Sequence, residues 1–330
     1  MICYNKLKMN AGVVGFYFLI FIAIATCYDR EPMLRFYHDS FDKFTELPLN
    51  EVDQILDTSW YNSSRTTVMF CHGFTGIPNG PAVTEIVTVY LRQGESNVAL
   101  LNWEYLASSQ TPGLANSYAN WAAPNARQLG NRVVDTFVLL SNAGLDMSKT
   151  HLIGHSLGAH IWGIAGFKLQ QRGILLPWIT GVDPAAVGFE GKSASHKLSA
   201  ASAIYVDIIH TDPNKYGLRT SAGTVDFWAN YRSVGPVRQP GCGNKPTAQF
   251  STQDLCNHNR SWKLLADAVK YPDTIIGSYA KNYKTWKHYT REERLAETLP
   301  LGKYNKNGRP GNYYFVTNSE SPYGLKTDGL

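Results

Sequence analysis

The run Gly154-His155-Ser156-Leu157-Gly158 is where residue type and spacing first combine into chemistry. A serine hydroxyl becomes a useful nucleophile only when a base takes its proton and N–H donors receive the oxyanion it creates. The pattern G-x-S-x-G does this on a sharp strand-to-helix turn, with glycines where neighbouring backbone must pass close by. A bare Gly-rich turn with an inert serine would read the same, so the flanks decide. Residues 150–153 read as a strand and residues 157–170 as a helix, the context that a nucleophilic Ser156 requires.

Two backbone donors are expected around it. One is the N–H of Leu157, the residue after the nucleophile. The other comes from a loop after an early strand, where Cys71-His72-Gly73-Phe74 follows the apolar run 67–70 and places Phe74 as the candidate. In such sites the chain order is serine, acid, histidine. Downstream acids include Asp183, Asp207, Asp212 and Asp226, and downstream bases include His196, His210, His258 and His288. Asp183 stands out because it ends a strand-like run and Pro184 turns the chain there, at the edge where open parallel sheets place their sites. Asp207 lies inside a strand-like run. His258 follows Cys256 on what reads as a loop before a helix. His196 and His210 stay in contention on the residues alone.

These groups need a scaffold, and apolar runs alternate with helical ones in the manner of a mainly parallel α/β sheet. Strands are expected at 67–70, 97–101, 150–153, 178–182 and 203–209. Helices are expected at 131–142, 157–170 and 260–269. No repeat, low-complexity tract or Pro/Gly/Ser-rich linker divides the chain, so one three-layer domain over residues 28–330 is expected. The chain has 330 residues, 44% hydrophobic and 17% charged, enough to bury a core without a disulfide framework. A net charge of +5 is far from that of a dedicated nucleic-acid binder.

Residues 1–27 are expected to be a secretory signal peptide. Lys6 and Lys8 precede an uncharged apolar run, 11–25, that closes in small residues at Ala25-Thr26-Cys27. A retained anchor is the alternative, but the run is short of the ~20 residues that span a bilayer. Cleavage removes Cys3 and Cys27 and leaves three cysteines of five. In an oxidising compartment Cys242 and Cys256 could pair, with Cys71 left as a buried thiol. The sequons at Asn62 and Asn259 differ: the first lies on an expected surface loop, and a glycan on the second would crowd His258.

Five ordered motifs carry a resemblance: Gly154-His155-Ser156-Leu157-Gly158-Ala159-His160, Gly181-Val182-Asp183-Pro184-Ala185, Val206-Asp207-Ile208-Ile209-His210-Thr211, Gln239-Pro240-Gly241-Cys242 and Cys256-Asn257-His258-Asn259-Arg260-Ser261. Together the chain resembles the pancreatic-type family of secreted animal lipases from about Arg35 to Gly324. The resemblance implies an α/β-hydrolase fold, a triad of Ser156, Asp183 and His258, oxyanion donors at Phe74 and Leu157, and no cofactor. It selects His258 over His210.

Three departures qualify it. The chain ends where the hydrolase domain should, so no C-terminal β-sandwich and no colipase partner are expected. The stretch 194–202 has no carboxylate, so no calcium is expected there. No cysteine follows Cys256. The Cys242–Cys256 bracket encloses only residues 243–255, with Pro246 and few apolar side chains, and the second covering loop, 213–222, is also short and polar. Short covers leave a cleft that a charged head group could enter, which resembles the phospholipase A1 branch. Triacylglycerol lipase is the alternative, a small-ester esterase another, and a non-catalytic yolk-type lipid carrier a rival that typically loses triad residues. The substrate is expected to be lipid at an aggregate or membrane surface. Finally, residues 281–289 interleave lysines with aromatics, either as a contact for anionic lipid or as a solvated face whose rings pack inward.

Overall fold

The computed structural model describes residues 31–243, 245 and 247–330. The signal segment 1–27 and Pro246 lie outside the described residues. Among those described, one sheet of 11 strands runs through the molecule. In chain order these are β1 (Met33–Tyr37), β2 (Phe44–Pro48), β3 (Thr66–Cys71), β4 (Ser96–Asn102), β5 (Thr150–His155), β6 (Trp178–Val182), β7 (Tyr205–His210), β8 (Val225–Ala229), β9 (Ile276–Tyr279), β10 (Thr298–Pro300) and β11 (Gly311–Phe315). Their spatial order is β10-β9-β11-β8-β7-β6-β5-β3-β4-β1-β2. The stretch from β4 to β11 is parallel throughout. The antiparallel pairs sit at the two ends, β1 with β2 and β4, and β9 with β10 and β11.

The central strands are buried on both faces, which is why they read as near-continuous apolar runs. Alternate residues feed separate cores. Met69 and Cys71 of β3 and Ala99 and Leu101 of β4 join one cluster, whereas Val68, Phe70, Val98 and Leu100 join the other. Four helices cover the sheet: α1 (Pro81–Gln93), α2 (Ala123–Asn142), α3 (Leu157–Gln171) and α4 (Cys256–Lys270). Helices α2 and α3 lie on the first core, and α1 and α4 on the second. This is the three-layer α/β-hydrolase arrangement. No helix among the described residues is long and apolar enough to cross a membrane.

The expected strands and helices are all present, with differences at their ends. Helix α2 starts at Ala123, eight residues before the expected start, because its first turns bury only small groups such as Ala126 and Gly130 beside Leu129. Helix α4 starts at Cys256, so His258 sits in a helical first turn and not on a loop. Helix α1 was not among the expected elements. Its signals are Pro81 in the first turn and Gly94 just past the end, at φ 70°. Helix α3 is apolar on nearly every side, and Trp162 ties it to the sheet. Its ring meets Phe137 of α2 at 5.8 Å and its Nε1 donates to the Ile153 carbonyl at 3.1 Å. Trp162→Ala is expected to lower stability by about 3–5 kcal/mol in urea unfolding, from the cavity and the stranded carbonyl together.

Candidate active site

β5 ends at His155 and α3 begins at Leu157, so Ser156 is the whole turn between them. Its backbone stands at φ 56° and ψ −116°, a conformation an L-residue holds only under constraint. The constraint is visible: Ser156 N–H donates to the Val182 carbonyl at 3.2 Å, and the Ser156 carbonyl accepts from Ala185 N–H at 3.3 Å. The flanking glycines are required by space. A Cβ on Gly158 would lie 2.2 Å from the Cys71 carbonyl oxygen, and one on Gly154 would lie 2.4 Å from the Ala159 nitrogen.

The loop after β3 crosses directly over the serine. A Cβ on Gly73 would sit 2.7 Å from Ser156 Cβ and 3.3 Å from its Oγ. Phe74, the next residue, and Leu157, the first residue of α3, are thus the neighbours of two groups already in contact. The Leu157 N–H has no acceptor within its own helix, and the helix dipole adds partial positive charge there.

Asp183 follows β6 at φ 47° and is fully buried. Its Oδ2 accepts from His258 Nδ1 at 2.6 Å, and its Oδ1 accepts from the N–H groups of Thr211 and Asp212 at 2.8 and 3.1 Å. Gly217 packs against it so closely that a Cβ would lie 2.4 Å from Oδ1. Ser156 and His258 line one cleft of about 640 Å³, which Phe74 also lines. The other histidines are engaged elsewhere. His210 Nε2 bonds Asp226 at 2.7 Å and its ring stacks on Trp228 at 3.7 Å. His196 and His288 are exposed. Asp207 accepts from Trp178 Nε1 and Thr180 Oγ1 at 2.7 and 2.6 Å, inside the sheet.

Several supporting residues carry no signal in residue type alone. His160 donates through Nε2 to the Ala185 carbonyl at 2.7 Å and accepts Leu198 N–H at Nδ1, 3.1 Å. Burial holds its ring neutral, with a pKa of about 3, so both bonds persist. Gln239 is buried and donates through Nε2 to the carbonyls of Thr211 and Ala229, 2.9 Å each, while its N–H reaches Asn257 of α4 at 2.9 Å. Cys242 and Cys256 are disulfide-bonded, with Cα atoms 5.7 Å apart, which fastens the start of α4. Among the described residues Cys71 is the free thiol, and it is buried. Among the described residues no group of three or more His, Cys, Asp or Glu side chains is placed to hold a metal ion.

The short segment inside the disulfide bracket contains no helix among its described residues, yet it lines the cleft. Phe250 stands at φ 62° with its ring 5.6 Å from Phe74 and 5.3 Å from Tyr216. Asp254 clasps it. That carboxylate accepts Phe250 N–H at 2.9 Å, Lys215 Nζ at 2.7 Å and the Tyr216 hydroxyl. The two covering segments are therefore joined to each other beside the cleft.

Asp212 is fully buried beside Asp183, and neither of its carboxylate oxygens has a protein partner. Burial first, then the Asp183 charge, push its pKa up to about 8.

The family model described as Lipase matches residues 32–323. The chain is 34% identical to a phospholipase A1 of Vespa crabro, over 78% of this chain and 82% of that one. It is 31% identical to a phospholipase A1 of Vespula squamosa, over 79% and 83% of the two chains. Phospholipase A1 2 of Vespa affinis is 31% identical over 78% of this chain and 74% of its own.

Two outcomes are expected. Between pH 3.8, the ordinary value for an aspartate, and about 8, native Asp212 keeps a proton that the unfolded chain has lost, so this group favours folding less as pH rises. Asp212→Asn has no such proton, so its melting temperature is expected to rise relative to wild type across that window; a constant difference would refute it. Replacing Cys242 and Cys256 by serine, which opens a loop of sequence separation 14, is expected to cost about 3 kcal/mol in denaturant unfolding and to lower kcat more than it changes KM.

Proposed function

Because the chain belongs to the lipase family, we propose that this carboxylic ester hydrolase is a secreted phospholipase A1 that releases the 1-acyl chain of glycerophospholipids. The observation that carries the chemistry is the pairing of Asp183 with His258 at 2.6 Å beside the cleft that Ser156 lines. In this reading His258 takes the Ser156 proton as Oγ attacks the ester carbonyl. Asp183 fixes the tautomer with the proton on Nδ1, leaving Nε2 as the base, and stabilises the imidazolium that forms. The N–H groups of Phe74 and Leu157 receive the developing oxyanion, each contributing about 3 kcal/mol. His258 then protonates the leaving alcohol, an acyl-serine remains, and water activated by the same imidazole releases the fatty acid.

Support for a phospholipid over a triacylglycerol comes from the relatives, which are phospholipases A1 by name, and from the two short covering segments. Secretion is supported by the composition of residues 1–27 and by the Cys242–Cys256 bond, which suits an oxidising compartment.

The test uses secreted wild type and Ser156→Ala with phosphatidylcholine bearing distinguishable acyl chains and, separately, a triacylglycerol emulsion. The expected result is release of the first-position chain by wild type, with the variant slower by at least about a thousandfold. Preference for the emulsion would keep the mechanism and overturn the substrate. Absence of turnover on both, with no labelling by a serine-reactive fluorophosphonate, would favour a carrier.

A further inference from the structure

The cleft opens at the carboxyl edge of the parallel strands, and the loops after β3, β4, β6 and β8 all emerge there. That edge leaves unusual residues in water. Ile77, after β3, is 40% exposed, and Leu114, after β4, is 38% exposed. The two most exposed large apolar residues among those described are Val234, after β8, at 85%, and Val187, after β6, at 56%. Ile77 and Val187 line the cleft, and Leu114 adjoins Ala115, which does too. Exposed apolar residues occur elsewhere too, such as Leu175 at 47% and Ile204 at 49% before β6 and β7, but Val234 exceeds them all and projects from a loop at the cleft's edge of the sheet.

The loop that carries Val234 is anchored at both ends. At its root, the ring of Tyr231 packs at 5.1 Å against both Trp228 and Tyr283. At its far end Val237 is buried, its carbonyl accepts Asn257 Nδ2 at 3.1 Å, and Gln239 is tied down as described above. Between these anchors the chain turns at Gly235, φ 75°, with Arg232, Val234 and Arg238 exposed. No carboxylate occurs from residue 227 to residue 253, whereas Arg232, Arg238 and Lys245 do. Tyr283 opens the short helix α5 (Tyr283–His288), which leaves Lys284 and Lys287 exposed. Its Trp286 is buried, and the rings of Tyr283 and Trp286 pack at a tilt against Tyr314, 5.6 and 5.9 Å away. The 281–289 segment thus exposes Lys284 and Lys287 while Trp286 is buried and Tyr283 and Tyr289 are partly buried. The counter-charges are Glu320, exposed on the segment beside Gly241, and Glu292 and Glu293, exposed in the turn of helix after α5; none of them lies on the 230–238 loop itself.

We propose that the 230–238 loop is the docking surface that seats the cleft on an anionic lipid surface, with Val234 entering the acyl boundary and Arg232 and Arg238 on the head-group phosphates. Charge selects the occupant: a basic, apolar-tipped projection complements a negatively charged bilayer and gains nothing from a neutral one beyond the valine. The proposal rests on the reading of the protein as a lipid hydrolase, and it names the surface on which that hydrolase works.

The test measures sedimentation of the full chain, in the Ser156→Ala background, with phosphatidylcholine vesicles with and without phosphatidylglycerol. Each arginine near an anionic surface is worth about fivefold in partition, from about 1 kcal/mol per charge. The double variant Arg232→Gln/Arg238→Gln is therefore expected to bind the anionic vesicles about 25-fold more weakly, with binding to neutral vesicles unchanged. Val234→Ser should weaken both. In the wild-type background these variants should keep their melting temperature and their turnover of a soluble short-chain ester. Equal binding of the parent to both vesicle types, or undiminished anionic binding by the double variant, would overturn the proposal. Failure of wild type to hydrolyse phospholipid would overturn the substrate reading instead, because vesicle binding is read without turnover.

Discussion

A negative charge at the end of β6, out of contact with water, is the constraint around which this molecule is arranged. Asp183 is fully buried, and a carboxylate there is tolerable only with all its lone pairs addressed. Two backbone N–H groups after β7 address one oxygen, and the imidazole of His258 addresses the other. Those N–H groups stay in place because Gln239 holds the Thr211 carbonyl, and the imidazole stays because the disulfide and Asn257 fix the first turn of α4. Elements far apart in the chain are thus pinned to a single side chain. The neighbouring Asp212 is pushed toward its protonated form, first by its own burial and then by the Asp183 charge, which limits the repulsion between the two carboxyls.

Strands β3 to β7 were legible because burial on both faces forces apolar runs, as in β5 and β7, whereas the parallel β8 and β11 were not among the expected strands: Asp226 breaks the apolar run of β8, and β11 opens on the half-buried Gly311 and Asn312. The antiparallel ends were not legible either. β2 is exposed or half-buried along its length, and β10 has only three residues, so neither produces a hydrophobic pattern. Helix α1 is not legible from residue type, because its β-branched residues Val83, Ile86, Val87 and Val89 suit a strand as well, although Pro81 and Gly94 bracket it.

The site was legible unevenly. Ser156 announces itself through the glycines that its turn needs. The histidine does not, because the fold contains two buried His–Asp pairs of nearly equal length, His258–Asp183 at 2.6 Å and His210–Asp226 at 2.7 Å. Local sequence treats them alike, since each histidine adjoins an expected strand or helix end. Only long-range placement separates them: one imidazole faces the cleft, and the other is sealed against Trp228. The ordered motifs of a family carry that long-range information, which residue types alone lack.

Asp254 has a further consequence. It belongs to the segment bracketed by the disulfide, yet two of its partners, Lys215 and Tyr216, belong to the loop after β7. One carboxylate therefore makes a single moving part of two stretches of chain. Separating them would cost the Tyr216 hydroxyl its acceptor, while Lys215, 40% exposed at its side chain, would return to water. A change at either stretch is thereby felt at the other, so the two segments that border the entrance share one set of contacts.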